Sequence, residues 1–505
     1  MIFASRDERL QGRWSRVDNR AGRYIAQAMR LLGNSPATRD LPTSDPAVPV
    51  DAPAPRLVSR VERRRRPPGV KRRHGVYIPL KLRVVLTFVA GALWFCFSLW
   101  LSRSWIRTLG HDITTPLAIL VIAGVALIPG YLNIQLITSI LLDSPRPLRF
   151  GVDFPRITLL VAAYNEQDSI AETLDYALRA DYPGHFELVV ADDGSTDRTR
   201  EIVAEYAERY PCVRLLAADH GGKANTLNAA LETVSTPLTA TIDADTLLMS
   251  YSLKHAVARL LVSPPDTVAV AGAVLVRNSR ENMLTRAQEW DYFLGIASVK
   301  RGQALLQGTL VAQGAFSVYD TTALKLVGGW PNRIGEDIVL TWRMLLQGGR
   351  SVFEPTAVAF TDAPSEWGAF VRQRRRWARG MIEGLRDHGW GMLGQFKFYS
   401  HAVAVNFLFP FVDLTFTLAF IPGILLAMTG NFVIVGPMTL LVLPLNMVLG
   451  SVMFAYQRRV FKAVNLRVRK NKRGLLFYFF CYQFVMSPIS LAGYSLEAVR
   501  ARRAW

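Results

Sequence analysis

The chain has little cysteine and long stretches with little or no charge. Only Cys96, Cys212 and Cys481 occur among 505 residues. They are scattered, with no metal-ligand spacing and no pairing pattern, so neither a disulfide framework nor a zinc module is expected. The first eighty residues are polar and Arg-rich and hold no apolar run, so no signal peptide is expected. Charge is sparse in five apolar runs: Val84–Leu101, Pro116–Leu142, Ala402–Met428, Phe432–Tyr456 and Leu475–Leu496. Each approaches the ~20 residues that a spanning helix needs. One such run can be a buried core helix. Five in two clusters read as membrane segments on either side of a soluble unit.

The net charge of +19 is unevenly spread. Met1–Arg83 carries 19 Lys/Arg against 7 Asp/Glu, and a second basic run joins Arg458 to Arg473. Basic runs also suit nucleic acid. Both of these abut apolar segments, where Lys/Arg mark the cytoplasmic side and attract anionic lipid. Membrane lipid is therefore the expected partner, and nucleic acid is not.

Within the tail, Tyr24, Ile25, Ala28, Met29, Leu31 and Leu32 alternate with Arg20, Arg23 and Arg30, a pattern that lets a helix within Met1–Leu32 lie on a membrane. A disordered tail with chance periodicity reads the same residues equally well. Six prolines between Pro36 and Pro55 make a linker, and Arg63–Arg66 with Lys71–Arg73 form a basic anchor. The domain plan is a basic, largely disordered cytoplasmic tail (1–83), a transmembrane hairpin of two helices (84–142), a cytoplasmic catalytic unit with interfacial helices (143–400), and a C-terminal transmembrane region of about three helices (401–505). A fifth crossing would export Arg500, Arg502 and Arg503 against the charge rule, and Ser487-Pro488 interrupts that segment, so its crossing stays open.

The central segment alternates β-branched runs with helical periodicity. Strands are expected at Ile157–Val161, Glu187–Ala191, Val213–Ala217 and Leu238–Ile242. Helices are expected at Gln167–Ala180, Asp197–Arg209 and Ala224–Val234. Such alternation implies an α/β unit with a mainly parallel sheet and right-handed crossovers. Its ligands bind at the carboxyl ends of the strands, where Asn165-Glu166, Asp192-Asp193 and Asp243-Ala244-Asp245 fall.

Asp243 and Asp245, at i and i+2 of an extended segment, point the same way. Paired hard oxygens suit Mg²⁺ or Mn²⁺ on a diphosphate, which would neutralise a leaving UDP. Asp192-Asp193-Gly194-Ser195 can cap a helix, yet capping needs no second acid. In the functional reading the pair accepts hydrogen bonds from a uracil ring and ribose hydroxyls. Gly221-Gly222-Lys223 enters a helix and can contact phosphate. Gly335-Glu336-Asp337 is an acidic helix start favoured by the dipole and presents a carboxylate as a base. Gln373-Arg374-Arg375-Arg376-Trp377 is a basic face with an aromatic ring.

The ordered set Ala163-Tyr164-Asn165-Glu166, Asp192-Asp193-Gly194-Ser195, Gly222-Lys223-Ala224-Asn225, Asp243-Ala244-Asp245, Gly335-Glu336-Asp337 and Gln373 to Trp377 resembles the processive family 2 membrane glycosyltransferases, the synthases of cellulose, chitin, hyaluronan and poly-N-acetylglucosamine. The resemblance covers about residues 156–380. It implies a GT-A-type nucleotide-sugar-binding domain with a mixed, mainly parallel sheet, inserted between two groups of transmembrane helices. It also implies a multi-pass protein of the bacterial inner membrane. Position by position, Asp192 and Asp193 resemble the nucleoside-binding acids, and Lys223 a donor-site lysine. Asn165 and Glu166 fall in the donor-site strand end. Asp243 and Asp245 match the metal and diphosphate motif, and Asp337, beside Glu336, the base of an inverting transfer. Gln373, Arg376 and Trp377 match the box that holds diphosphate and stacks on the acceptor sugar. Gly314 and Phe316 fall where the acceptor terminus is lined.

Family members often have Pro at the position of Ala162 and Thr at that of Gly335. A cyclic-dinucleotide module and a gating loop are not found, which lowers cellulose in the ranking. Ile128 to Asn133, His220 to Asn225, Gly335 to Trp342 and Gln373 to Gly380 look closest to bacterial poly-β-1,6-N-acetylglucosamine synthases. The expected donor is therefore UDP-GlcNAc and the acceptor a growing polysaccharide. The resemblance leaves room for a small accessory membrane subunit. The rivals are chitin-, hyaluronan- or cellulose-like synthesis from another UDP-sugar, single transfer to a polyprenyl phosphate, and a scaffold with a decayed transferase.

Overall fold

The computed structural model describes residues 3–4, 78–306, 308–435, 442–468 and 470–500. The tail helix, the proline-rich linker and the basic anchors lie outside these residues, apart from Phe3–Ala4, whose backbone pairs antiparallel with Arg467–Val468.

The predicted strands all form and extend by one to three residues. They are β1 (Ile157–Ala163), β2 (Phe186–Asp193), β3 (Val213–Ala218) and β4 (Leu238–Asp243), followed by β5 (Leu247–Leu248), β6 (Thr267–Val276), β7 (Phe316–Asp320) and β8 (Arg350–Thr361). The sheet order is β3-β2-β1-β4-β7-β6-β8-β5. The first four strands are mutually parallel, and β7 runs antiparallel to both β4 and β6. This mixed sheet is the GT-A-like arrangement.

Register places the chemistry. Ala163 pairs with Asp192, Ala162 with Asp243 and Asp193 with Ala218, so four strand ends finish at one level. Because β7 is antiparallel, it starts where β4 stops: Phe316 pairs with Ile242. The segment before β7 therefore meets the acids after β4.

Both faces of the sheet are covered, which is why its strands read as almost continuous apolar runs. Ile170, Leu174, Val203, Ala256 and Leu260 cover one face. Leu227, Leu231, Leu324, Leu340 and Met344 cover the other.

Among the described residues, four helices are long and apolar enough to cross a membrane: Leu80–Leu101, Thr115–Leu142, Phe398–Met428 and Lys472–Ala498. They flank the sheet domain in sequence. The expected run Phe432–Tyr456 lies partly outside the described residues. Residues 442–456 of it belong to the helix Val442–Ala463, which is not among the four and packs Met453 and Phe461 against Trp290 and Phe293.

Lys472–Ala498 is tied to the sheet domain at both ends. Before its start, the Asn471 amide donates to the Arg286 carbonyl at 2.9 Å and to Glu289 at 2.6 Å. Near its end, buried Glu497 pairs with Arg379 at 3.2 Å and Arg386 at 3.0 Å.

Candidate active site

The β1 end turns through Asn165, which adopts a left-handed φ of 54°. Asn tolerates this conformation better than most residues. Its side-chain oxygen accepts from Thr196 N at 2.8 Å, and its own N–H donates to Ser195 Oγ at 3.0 Å. Asn165 thus latches the loop after β1 to the loop after β2. Glu166 accepts from Ser169 Oγ at 2.5 Å. Burial, with the charges of Asp243, Asp197 and Asp168 and against the Ser169 bond, raises its carboxyl.

Asp192 and Asp193 are both buried, and both have internal partners. Asp192 pairs with Arg200 at 2.9 Å and accepts from Ser195 N at 3.3 Å. Asp193 accepts from Gly221 N (2.9 Å), Gly222 N (3.1 Å) and Thr226 Oγ1 (2.5 Å) and meets His220 Nδ1 at 2.9 Å. Four donors on one carboxylate use its lone-pair sites. Asp193 therefore pins the glycine loop that delivers Lys223. Beside it, half-exposed Tyr164 stacks on His220 with ring centres 4.4 Å apart. This flat aromatic surface at the strand ends went unassigned in the sequence, where His220 stood only as a flank of the glycines.

Lys223 is the hub of the next cluster. Its ammonium pairs with Asp243 and lies 3.8 Å from Glu336. Burial pushes its pKa down, but the charges of Asp243 and Glu336 outweigh that and raise it overall. Glu336 is raised by burial and by Asp337 against the pull of Lys223. Gly314 lies against this cluster, since a Cβ there would sit 2.9 Å from the Lys223 ammonium. Three motifs remote in sequence thus converge on one lysine.

Asp337 begins the helix Glu336–Leu346, where its carboxylate accepts from Ile338 N at 2.8 Å. Asp245 is pushed up to about 6 by burial and by the charges of Asp243, Glu166 and Asp362. Its carboxylate accepts from Thr361 Oγ1 at 3.2 Å, across the β5–β8 ladder. Among the described residues, no three His, Cys, Asp or Glu side chains converge to hold an ion unaided. Crowded acids of this kind fit a divalent ion that shares its coordination with ligand oxygens and water.

Phe316 is a correction. It is fully buried in the sheet core, where a Cβ on Gly272 would collide with its ring, so it does not line an acceptor site. An antiparallel strand starting beside β4 puts its first side chain inward, while Gly314, two residues before the strand, stays at the site.

The box lies on the helix Trp367–Gly384. Phe370, Arg374 and Ala378 are buried at helical spacing, while Arg372 and Arg376 are exposed. Arg374, given no role in the sequence, is the centre of the box. Its guanidinium lies 4.2 Å from the Trp377 ring centre and pairs with Asp291 at 3.0 Å. Asp291 also accepts from Tyr482 at 3.0 Å. Arg376 faces solvent within electrostatic reach of Glu336. The Gln373 side-chain oxygen is buried without a hydrogen-bond partner among the described residues.

A mixed GT-A-like sheet with acids at its strand ends and this box defines a glycosyltransferase domain. Residues 155–380 match the family described as glycosyltransferase like family 2, and they form a family 2 domain. The chain is 32% identical over 237 residues to a poly-β-1,6-N-acetyl-D-glucosamine synthase of Staphylococcus aureus, covering 45% of this chain and 55% of that protein. It is 31% identical over 238 residues to the synthase of the same name from Staphylococcus epidermidis, covering 47% and 57%. The chain thus spans little more than half the length of these curated relatives. Among solved structures it resembles the mannosyltransferase PcManGT of Pyrobaculum calidifontis in complex with GDP-Man and Mn²⁺. The TM-score is 0.50 at 18% identity, with 84% of this chain and all of that one covered, a likeness of fold.

Proposed function

We propose that the protein is a membrane-embedded, inverting, processive glycosyltransferase. In this reading it polymerises N-acetylglucosamine from UDP-GlcNAc into a β-linked polysaccharide and passes it across the bacterial inner membrane. The observation that carries the reading is the convergence of Lys223, Asp243, Gly314 and the Glu336-Asp337 pair at one point on the strand ends. The membrane-length helices on both sides of the domain support the membrane setting, with the catalytic domain cytoplasmic where nucleotide sugars are made. The similarity to named synthases supports the choice of sugar.

The donor's base lies against Tyr164 and His220, beside the Asp192–Asp193 turn. Lys223 offsets diphosphate charge, helped by Arg376 as the box closes over the donor. Asp243 and Asp245 are the residues that would hold Mg²⁺ or Mn²⁺, which when bound neutralises charge on the leaving diphosphate. Asp337 takes the proton from the acceptor hydroxyl as that oxygen attacks the anomeric carbon, and UDP leaves from the opposite face. A single base suffices for this displacement, and configuration inverts. Trp377 stacks on the acceptor sugar, and Gln373 offers it an unsatisfied oxygen.

The test is product size from the protein in vesicles given labelled UDP-GlcNAc and Mg²⁺ or Mn²⁺, beside UDP-glucose and UDP-glucuronate. High-molecular-weight label from UDP-GlcNAc alone supports the proposal. Polymer from another donor overturns the sugar, and a small lipid-extractable product overturns processivity.

A further inference from the structure

One buried cation has no place in the scheme above. Lys300, on the helix Ala297–Leu305, is 6% exposed. Its ammonium donates to Gln313 Oε1, and Gln313 Nε2 donates to the Gly272 carbonyl at 2.8 Å. Among the described residues no carboxylate forms an ion pair with it. The adjacent Arg301 takes Asp143 as its own partner. The charge that reaches Lys300 is that of Asp337.

Three consecutive residues join this lysine to the site. Ala312 N donates to Thr341 Oγ1 at 2.9 Å, and Thr341 Oγ1 donates to the Asp337 carbonyl at 2.7 Å. Gln313 holds Lys300, and Gly314 lies against Lys223. One segment therefore sets both Lys300 and the first turn that carries Asp337. A buried ammonium with one neutral partner is costly. An apolar side chain of similar length would fill the space without that cost.

We propose that Lys300 is a positioning residue for the transfer reaction. Held by Gln313 on the segment that also seats the first turn of Asp337, its ammonium supplies a fixed positive charge to the site while the acceptor hydroxyl gives up its proton. This rests on the reading of Asp337 as the base.

The sign of the pH effect follows. Burial pushes the Lys300 amine down, against the charge of Asp337, to about 7. The amine is charged below that value and neutral above it, so the rate falls as pH rises through it. The other groups facing Asp337 do not imitate this. Lys223 and Tyr319 are both raised and keep their protons near neutrality, and raised Glu336 gives an acid limb.

The experiment uses the full chain in proteoliposomes and measures kcat, KM and UDP affinity across pH for wild type, Lys300→Met, Lys300→Arg and Asp337→Asn. We expect a basic limb in wild type near pH about 7. Lys300→Met loses about tenfold or more in kcat and loses that limb, with UDP affinity unchanged. Lys300→Arg recovers activity and carries the limb well above neutral pH, because guanidinium keeps its charge. A basic limb that survives in Lys300→Met, or equal loss of UDP affinity in both lysine variants, overturns the proposal. If Asp337→Asn still transfers sugar, the base reading fails and takes this inference with it. If Asp337→Asn is inactive while Lys300→Met keeps the wild-type profile, the inference alone fails.

Discussion

Gly335 and Gly380 meet backbone to backbone: a Cβ on Gly335 would lie 3.0 Å from both the Cα and the carbonyl oxygen of Gly380. The contact seats the box helix on the residue before Glu336-Asp337. It brings Arg376 and Trp377, four and three residues before Gly380, over the acids. Gly380→Ala should cost roughly 1–3 kcal/mol, the usual toll of overpacking, and lower both kcat and UDP affinity, because Arg376 moves with the helix. Thermal unfolding and initial rates on one preparation check this. Unchanged rates would mean that the helix seat does not set the chemistry.

Asp337→Asn should abolish transfer, because an amide cannot take the acceptor proton. UDP binding should persist, since Lys223 and Asp243 remain in place. Calorimetry with UDP beside a transfer assay separates the two effects, and normal polymerisation by the Asn variant would reject the assignment.

Asp245→Ala should weaken UDP binding in Mn²⁺ but change it little in EDTA, because the lost carboxylate serves the donor only through an ion. Titrating UDP with and without the metal gives the comparison. Equal affinity in Mn²⁺ for variant and wild type would argue against Asp245 as a ligand.

Arg374→Lys keeps the charge beside Asp291 but loses the plane that covers Trp377, so the exchange is not conservative here. We expect shorter polymer chains with donor binding preserved, because Trp377 would hold the acceptor less firmly. Gel sizing of products checks it, and wild-type chain length would detach Arg374 from acceptor handling.

The four parallel strands were legible because a sheet covered on both faces writes apolar runs into the sequence. Asp243 ends its strand and Asp245 stands in the turn that follows, so the i, i+2 aim of an extended segment does not carry over to this pair. What stayed hidden depends on partners far away in the chain. Nothing local distinguishes Asp193, saturated by the Gly221–Thr226 segment, from Asp192, paired with Arg200. Nor does a motif reveal that Phe316 turns into the core while Gly314 remains at the site. Lys300 carries no signal at all, since a lysine on a helix normally faces water.

The tether of Glu497 to Arg379 and Arg386 bears on how the chain is threaded through a bilayer. Both ends of Lys472–Ala498, one of the four helices long and apolar enough to cross a membrane, are held by residues of the sheet domain. A helix held at both of its ends tilts or slides only together with the domain that holds it.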